Sequence, residues 1–502
     1  MGYSTGLIKA YILPLPLEQP LHSRIEWNSH KDIFFILIMV YSLFGIIYGL
    51  ILSRHRKAPF KSSIGNGSFT LVPIICLILM MAAVPLIISG HIIFSLKSFI
   101  FLNAGLTLIA IAIQLKLIQP VSQFLITSLQ RCLRKKELVL LLLITGTFLS
   151  VLYLYSLKFD KNITGFMVIG DYFEAPQIWT SQTLIHKGSV GYDGQFYYYI
   201  AHDPFILGQS YNHIDFPAYR YQRIIYPLTA WLLSFGQPKV IPYMMVGVNL
   251  LGILLGTYFI ILILKHYGRS PWYSLFYASF WGFLLCLLRS LPEPLAITFV
   301  VIAVYSYLKG KPIGQCIFLT LAALTQETTL MVTLAFLFYF LGKKEFRRAL
   351  YLLIPPLAYF LWQIYIYIHF QTFSFLGGTQ NFGPPLWGII EKLLFLGHGG
   401  LSFEKLAELL FLLWVLFLIM VAFYEAFKYY SPLTISFFGY ALLTAFLNRL
   451  IWVEPWSYSR ATLGLLVFNL LIFTKEGNRT NLFSLFIAPI IFFLSLLSMK
   501  LL

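Results

Sequence analysis

Charge is scarce in this chain. Asp, Glu, Lys and Arg make up 11% of its 502 residues, while 59% are hydrophobic. Soluble domains carry about a quarter charged residues, so this balance excludes a soluble globular fold. Cysteine is scarcer still. Cys76, Cys132, Cys286 and Cys316 show neither metal-ligand spacing nor a disulfide framework. Barrel strands would alternate apolar and polar residues; here the apolar runs are continuous, which points to helices. A cleavable signal peptide is not expected, because Pro14, Pro16 and Glu18 interrupt the first apolar stretch. Internal repeats and low-complexity tracts are lacking too.

What is present is a series of long apolar runs. A spanning helix takes about 20 such residues. Runs that fit, some of them short, are 33–52, 69–89, 93–115, 139–158, 239–264, 272–289, 294–308, 313–327, 329–341, 349–369, 407–425, 431–447, 461–474 and 482–500. The expectation is therefore an all-α, polytopic transmembrane bundle of about 14 spans, in which the short runs 294–308 and 313–341 are either tilted pairs or re-entrant hairpins. Basic clusters fall at 54–61, 116–137, 265–269, 309–311, 343–348, 425–428 and 475–479. They hold 20 of the 36 Lys and Arg but only 4 of the 19 Asp and Glu. This is the positive-inside pattern of cytoplasmic loops, so the net charge of +17 marks topology and not nucleic-acid binding. The acidic residues are left on the other side, where a function can use them.

Two modules are expected. Residues 1–137 form three helices and a basic amphipathic linker on the anionic cytoplasmic leaflet. Residues 138–502 hold the other helices and two large external loops, 159–222 and 370–406.

The first loop contains GYDGQFYYYIAHDP, residues 191–204. Gly191 and Gly194 flank Asp193, allowing a sharp turn or a close ligand. Residues 195–202 suit a short helix, and Pro204 would stop it. The aromatics from Phe196 to Tyr199 suit a membrane interface. Asp193 is the candidate general base and Asp171, in IGDYFE, the reserve. Gln195 and Tyr197 join as substrate-binding candidates. Arg220 and Arg223, in FPAYRYQRIIYP, suit phosphate recognition. Asp160 reads as a solvated charge.

Further charges reach the same side. RSLPEP places Arg289 and Glu293 at one helix-pair tip, either as an ion pair or facing a cavity. LTQET places Gln326 and Glu327 at the next tip. RLIWVEPWSYSR supplies Arg449, Glu454 and Arg460. Charges in membrane segments are expensive and face partners or cavities, so three such tips suggest one external pocket. The second loop carries an amphipathic helix over 387–396 and a bendable stretch with His398, Gly399 and Gly400, suited to cover a substrate. His202 beside Asp203 lacks a second His at metal-ligand spacing.

These motifs resemble the C-type superfamily of membrane glycosyltransferases (GT-C). The pattern is carried by Tyr192, Asp193, Phe196, Tyr199, Ile200 and Ala201. It is similar to bacterial members with a GYDGQFYY stretch followed by YRYQR and YP, and to GPI-anchor-type mannosyltransferases. LTQET is similar to an LTRET element, with Gln326 where Arg is common. Arg460 in YSR fits a recurring late arginine. The resemblance covers roughly 138–475 and leaves out the first three helices. It implies a helix bundle with interfacial helices in the first external loop. It also implies transfer of a sugar from a polyprenyl-phosphate donor to a glycan, lipid or protein acceptor, with an acidic residue as base.

A separate chemical argument points the same way. Nucleotide sugars are made inside the cell, so a transferase facing outward needs a donor already carried across, and a lipid phosphate sugar fits. Arg220, Arg223 or Arg460 would hold the phosphate while Asp193 takes the acceptor's proton. One displacement would invert the anomeric centre. The leaving phosphate is stabilised by arginine, so no cofactor is required, and a divalent metal stays open. The expected location is the plasma (inner) membrane. Competing readings are a flippase or transporter of lipid-linked sugar and a non-catalytic envelope-assembly scaffold.

Overall fold

A computed structural model describes residues 136–175, 178, 180, 182–397 and 403–498. All lie in the second of the two units into which the chain divides, residues 78–502. The three-helix module expected over 1–137 lies outside the described residues apart from Lys136 and Glu137, as do Cys76, Cys132, His398, Gly399 and Gly400.

Nearly every described element is a helix. Each of the eleven apolar runs expected beyond residue 138 is helical, the run 272–289 in two pieces. Five helices are long and apolar enough to cross a membrane: Glu137–Phe159, Ile241–His266, Phe346–Phe370, Glu404–Lys428 and Pro455–Glu476. A sixth span results if Pro271–Ala278 and Trp281–Leu288, bent by 51° at their break, count as one. Four more runs form shorter helices, Glu293–Leu308, Pro312–Thr325, Glu327–Gly342 and Pro432–Ala445. At about 1.5 Å per residue these fall short of a roughly 30 Å hydrocarbon core. The last run forms Arg479–Ser498, 20 residues with Pro489 inside it.

Proline explains much of the shortening. Pro294, Pro312 and Pro432 each sit in a first helical turn, where the missing N–H costs nothing. Before Pro432, Ser431 and Thr434 close a reciprocal capping box, satisfying two backbone donors.

Polar stitches join the helices in the interior. Thr298 Oγ1 donates to the Gly252 carbonyl at 2.6 Å, which holds Glu293–Leu308 against Ile241–His266. Asn249 Nδ2 donates to the Leu291 carbonyl at 2.9 Å and to Tyr226 Oη at 3.1 Å. Such bonds and small residues replace the hydrophobic effect where lipid surrounds the helices. The opposite situation holds on Ile354–Phe370. There Leu357, Phe360, Ile364 and Ile368 are exposed at helical spacing, an apolar stripe facing away from the bundle.

The helix expected over 195–202 begins two residues earlier, as Asp193–His202. It is buried over Gly194–Ala201, so its aromatics pack inside the protein instead of lying bare at an interface. A further short helix follows the first large loop, Ile225–Leu233. A two-residue parallel ladder pairs Ile169 with Ile185 and Gly170 with His186; the sequence carried no signal for it.

The second large loop is tied down over its described part. Gly383 N donates to the Phe446 carbonyl at 2.9 Å, and Asn381 Nδ2 to Tyr219 Oη at 3.3 Å. Its helix, Trp387–Gly397, is anchored by buried Lys392. That ammonium pairs with Glu408 at 2.6 Å and donates to the Val453 carbonyl at 2.9 Å. Over 374–397 the loop is thus tied to distant segments, while the bendable stretch at 398–400 lies outside the described residues.

Candidate functional site

The site is built on the start of the Asp193 helix. Tyr192 is extended and caps the helix, and Asp193 is its first residue. A carboxylate there also gains from the positive end of the helix dipole. Gly194 lies hard against the carbonyl of Arg289, where a Cβ would collide with backbone. This close approach brings the tip between Trp281–Leu288 and Glu293–Leu308 onto Asp193. Gly191 supplies a left-handed turn, φ 71°, that few other residues adopt cheaply.

Two arginines grip the Asp193 carboxylate. Arg220 Nη2 lies 2.9 Å from Oδ1, and Arg460 Nη2 lies 2.6 Å from Oδ2. Burial raises the Asp193 pKa, but the charges of Arg220 and Arg460 and their hydrogen bonds outweigh it, so the carboxyl sits well below the ordinary range. Arg220 is shared: its Nε and Nη2 also donate to Asp215 at 2.9 and 2.7 Å. Arg460 Nη1 lies 3.7 Å from Glu293 Oε1, too far for a hydrogen bond.

A second pair flanks the first. Arg223 donates from Nε and Nη2 to Glu327 at 2.9 and 2.6 Å. Its Nη1 donates to Tyr197 Oη at 3.0 Å and its Nη2 to Tyr219 Oη at 2.9 Å. All its nitrogens are engaged.

Arg289 is different. No carboxylate lies within ion-pair distance of it among the described residues. Its guanidinium lies 4.1 Å from the centre of the Trp456 ring and 5.6 Å from that of Tyr192. Arg460 lies 5.6 Å from the same Tyr192 ring. Arg289 Nε and Arg460 Nη1 are both buried without a hydrogen-bond partner.

The other expected site residues take different places. Asp171 accepts from the backbone N–H of Gly188 at 2.9 Å and Ser189 at 3.1 Å. The Gly188 bond is the largest cause of its lowered pKa. It braces a turn and makes no ion pair with an arginine among the described residues. Gln195 is fully buried, with Oε1 accepting from Gly170 N at 3.0 Å and Nε2 donating to the Val190 carbonyl at 2.8 Å; its amide is spent on the loop in front of the helix. Tyr197 serves Arg223. Glu293 faces Arg460 and accepts from Cys286 Sγ at 3.5 Å, in place of the Arg289 pairing the sequence allowed. Glu454 accepts from Ser457 Oγ at 3.2 Å and bears electrostatically on Tyr192. Asp203 closes its own turn, accepting from Leu207 N at 2.8 Å and Gly208 N at 2.9 Å.

Asp215, Tyr219 and Trp456 belong to the site although sequence reasoning gave them no role. Asp215 lies five residues before Arg220 on a tight turn, and Trp456 lies one turn before Arg460; that spacing was the available signal. No group of three His, Cys, Asp or Glu suited to a metal occurs among the described residues.

Set against models of protein families, curated proteins and solved structures, the chain matches none.

Proposed function

We propose that the protein is an inverting membrane glycosyltransferase of the GT-C kind, moving a sugar from a polyprenyl-phosphate donor to an acceptor at the extracytoplasmic face. The observation that carries this reading is Asp193 itself. An aspartate on a buried aromatic helix sits between two guanidinium groups, one from its own loop and one from the last third of the chain. A carboxylate to take a proton and arginines to hold a phosphate are what this transfer asks of a protein. The resemblance of the GYDGQFYY and YSR stretches adds support, as does their place in a bundle of apolar helices.

The ion pairs set a condition on this chemistry. A carboxylate held so far below its ordinary pKa is a weak base. Asp193 must lose the contact to Arg220 or Arg460 before it takes a proton from the acceptor hydroxyl. A donor phosphate competing for those guanidiniums provides the means.

The test is direct. Purified protein is incubated with a radiolabelled polyprenyl-phosphate sugar and membrane extract, then extracted. Release of free polyprenyl phosphate with label in a glycosylated acceptor is the expected result. Movement of intact lipid across vesicles, without cleavage, would replace the transferase with a flippase.

A further inference from the structure

Four arginines belong to the site, two of them on Asp193 itself, and they are not equivalent. Arg220 and Arg223 are engaged with carboxylates and tyrosines, and a ligand could recruit them only by displacing those partners. Truncating one side of a buried charged pair is strongly destabilising, so both are firmly committed. Arg289 bears its charge against two ring faces and keeps a buried donor unpaired. Arg460 keeps another. A buried donor left unpaired is costly, and native proteins seldom tolerate it without a ligand, water or function to account for it.

The two unpaired donors belong to guanidiniums that share one ring, Tyr192. His186 stands in the same field. Burial first, and the charge of Arg289 second, lower its pKa, and its Nε2 is also buried and unpartnered. An acceptor with several oxygens suits such a group. A phosphate ester carries more acceptor oxygens than a carboxylate, arranged in three dimensions, and can accept from guanidiniums on more than one side.

We propose that Arg289 and Arg460 form an anion subsite for a phosphate ester, with Arg289 as its principal holder, and that Arg220 and Arg223 serve the fold. The lipid as the source of that phosphate rests on the transferase reading; the anion subsite does not. Occupancy has a consequence for Asp193. A phosphate on Arg460 draws the guanidinium off Oδ2 and lets the carboxyl rise toward the ordinary range, the direction a base requires.

The experiment reads binding without turnover. Detergent-solubilised protein is titrated calorimetrically with a polyprenyl monophosphate, then with inorganic phosphate as competitor. Arg289→Gln keeps side-chain donors and removes the charge; it should weaken lipid phosphate binding about tenfold or more, as loss of a charged hydrogen bond does. Arg289→Lys keeps the charge and loses the flat fork, and should also bind several-fold more weakly; it answers the question if the Gln variant does not fold. Wild-type affinity in a folded Arg289 variant overturns the subsite. Displacement of the lipid by equimolar inorganic phosphate overturns the lipid as source. Failure of the transferase reading is separate: it shows as absent sugar transfer with lipid phosphate binding intact.

Discussion

Arg460 and Asp193 are 267 residues apart in the chain and 2.6 Å apart in space. The contact ties the first large loop to the last third of the protein. It also holds in one ion pair the residue with the strongest claim to act as base. Substituting Asp193→Asn therefore does two things. Transfer should fall by about 10²–10⁴ if the carboxylate is the base. Stability should fall as well, by about 1.5–3 kcal/mol for a charged hydrogen bond lost, since Arg460 is left without its nearest carboxylate. Sugar transfer at saturating donor, measured on protein shown to be folded, checks the first. Thermal unfolding in detergent checks the second. Near-normal turnover removes Asp193 as the base, and Asp171, which pairs with no arginine among the described residues, is then a poor substitute.

Acid should act through the same carboxylate. Its folded pKa lies below the unfolded value of about 3.9. The stability it contributes is therefore complete above that value and is lost as pH falls toward the folded pKa. Wild type should lose stability below about pH 4 more steeply than Asp193→Asn, because the variant has no proton to take up there. Parallel unfolding curves from pH 6 down to pH 3 would contradict this.

Arg223 and Glu327 are expected to behave as a closed structural pair. Arg223→Met and Glu327→Met should each destabilise, since each leaves a charge in a mostly buried setting. The double variant should lose less than the two singles combined, with a coupling of about 0.5–3 kcal/mol. A double-mutant cycle on unfolding free energy measures it, and additive losses would mean that the two groups do not act together.

Gly194→Ala tests the close approach to Arg289. The new methyl meets a backbone carbonyl that cannot turn aside, so a loss of about 1–3 kcal/mol is expected, as for other overpacked sites. Gly146→Ala is the control. Nothing lies within 4 Å of a Cβ there, and alanine is the better helix former by about 1 kcal/mol. Tm should fall for the first and hold or rise for the second.

Topology is tested at Lys187, which is exposed in the first large loop. A cysteine placed there, in a background lacking the four native cysteines, should react with an impermeant reagent on intact cells. Labelling only after lysis would reverse the orientation that the basic clusters imply.

Much of this protein could be read in one dimension. The eleven apolar runs beyond residue 138 are helices because continuous apolarity over a dozen or more residues leaves the backbone no better way to pair its polar groups. Asp193, Arg220, Arg223, Arg289, Glu293, Glu327 and Arg460 stood out because charge is costly in such a chain. Gln195 misled, because an amide in a conspicuous motif looks like a ligand contact, and only its two backbone partners reveal its role in the loop. The ties of the second large loop were equally hidden, because those from Gly383, Asn381 and Lys392 over 374–397 are made to distant segments.

The sequence by itself determined the helical class, the order of the apolar runs and the set of charged residues at stake, because these follow from local composition and periodicity. Tertiary structure decided how far the runs extend as helices and which charge meets which. Arg220 went to Asp215 and Asp193, Arg223 to Glu327, and Arg289 to two aromatic faces instead of the nearby Glu293. Pairing of this kind depends on distance in three dimensions, and an ion pair between groups 267 residues apart leaves no periodic mark in the chain that carries it.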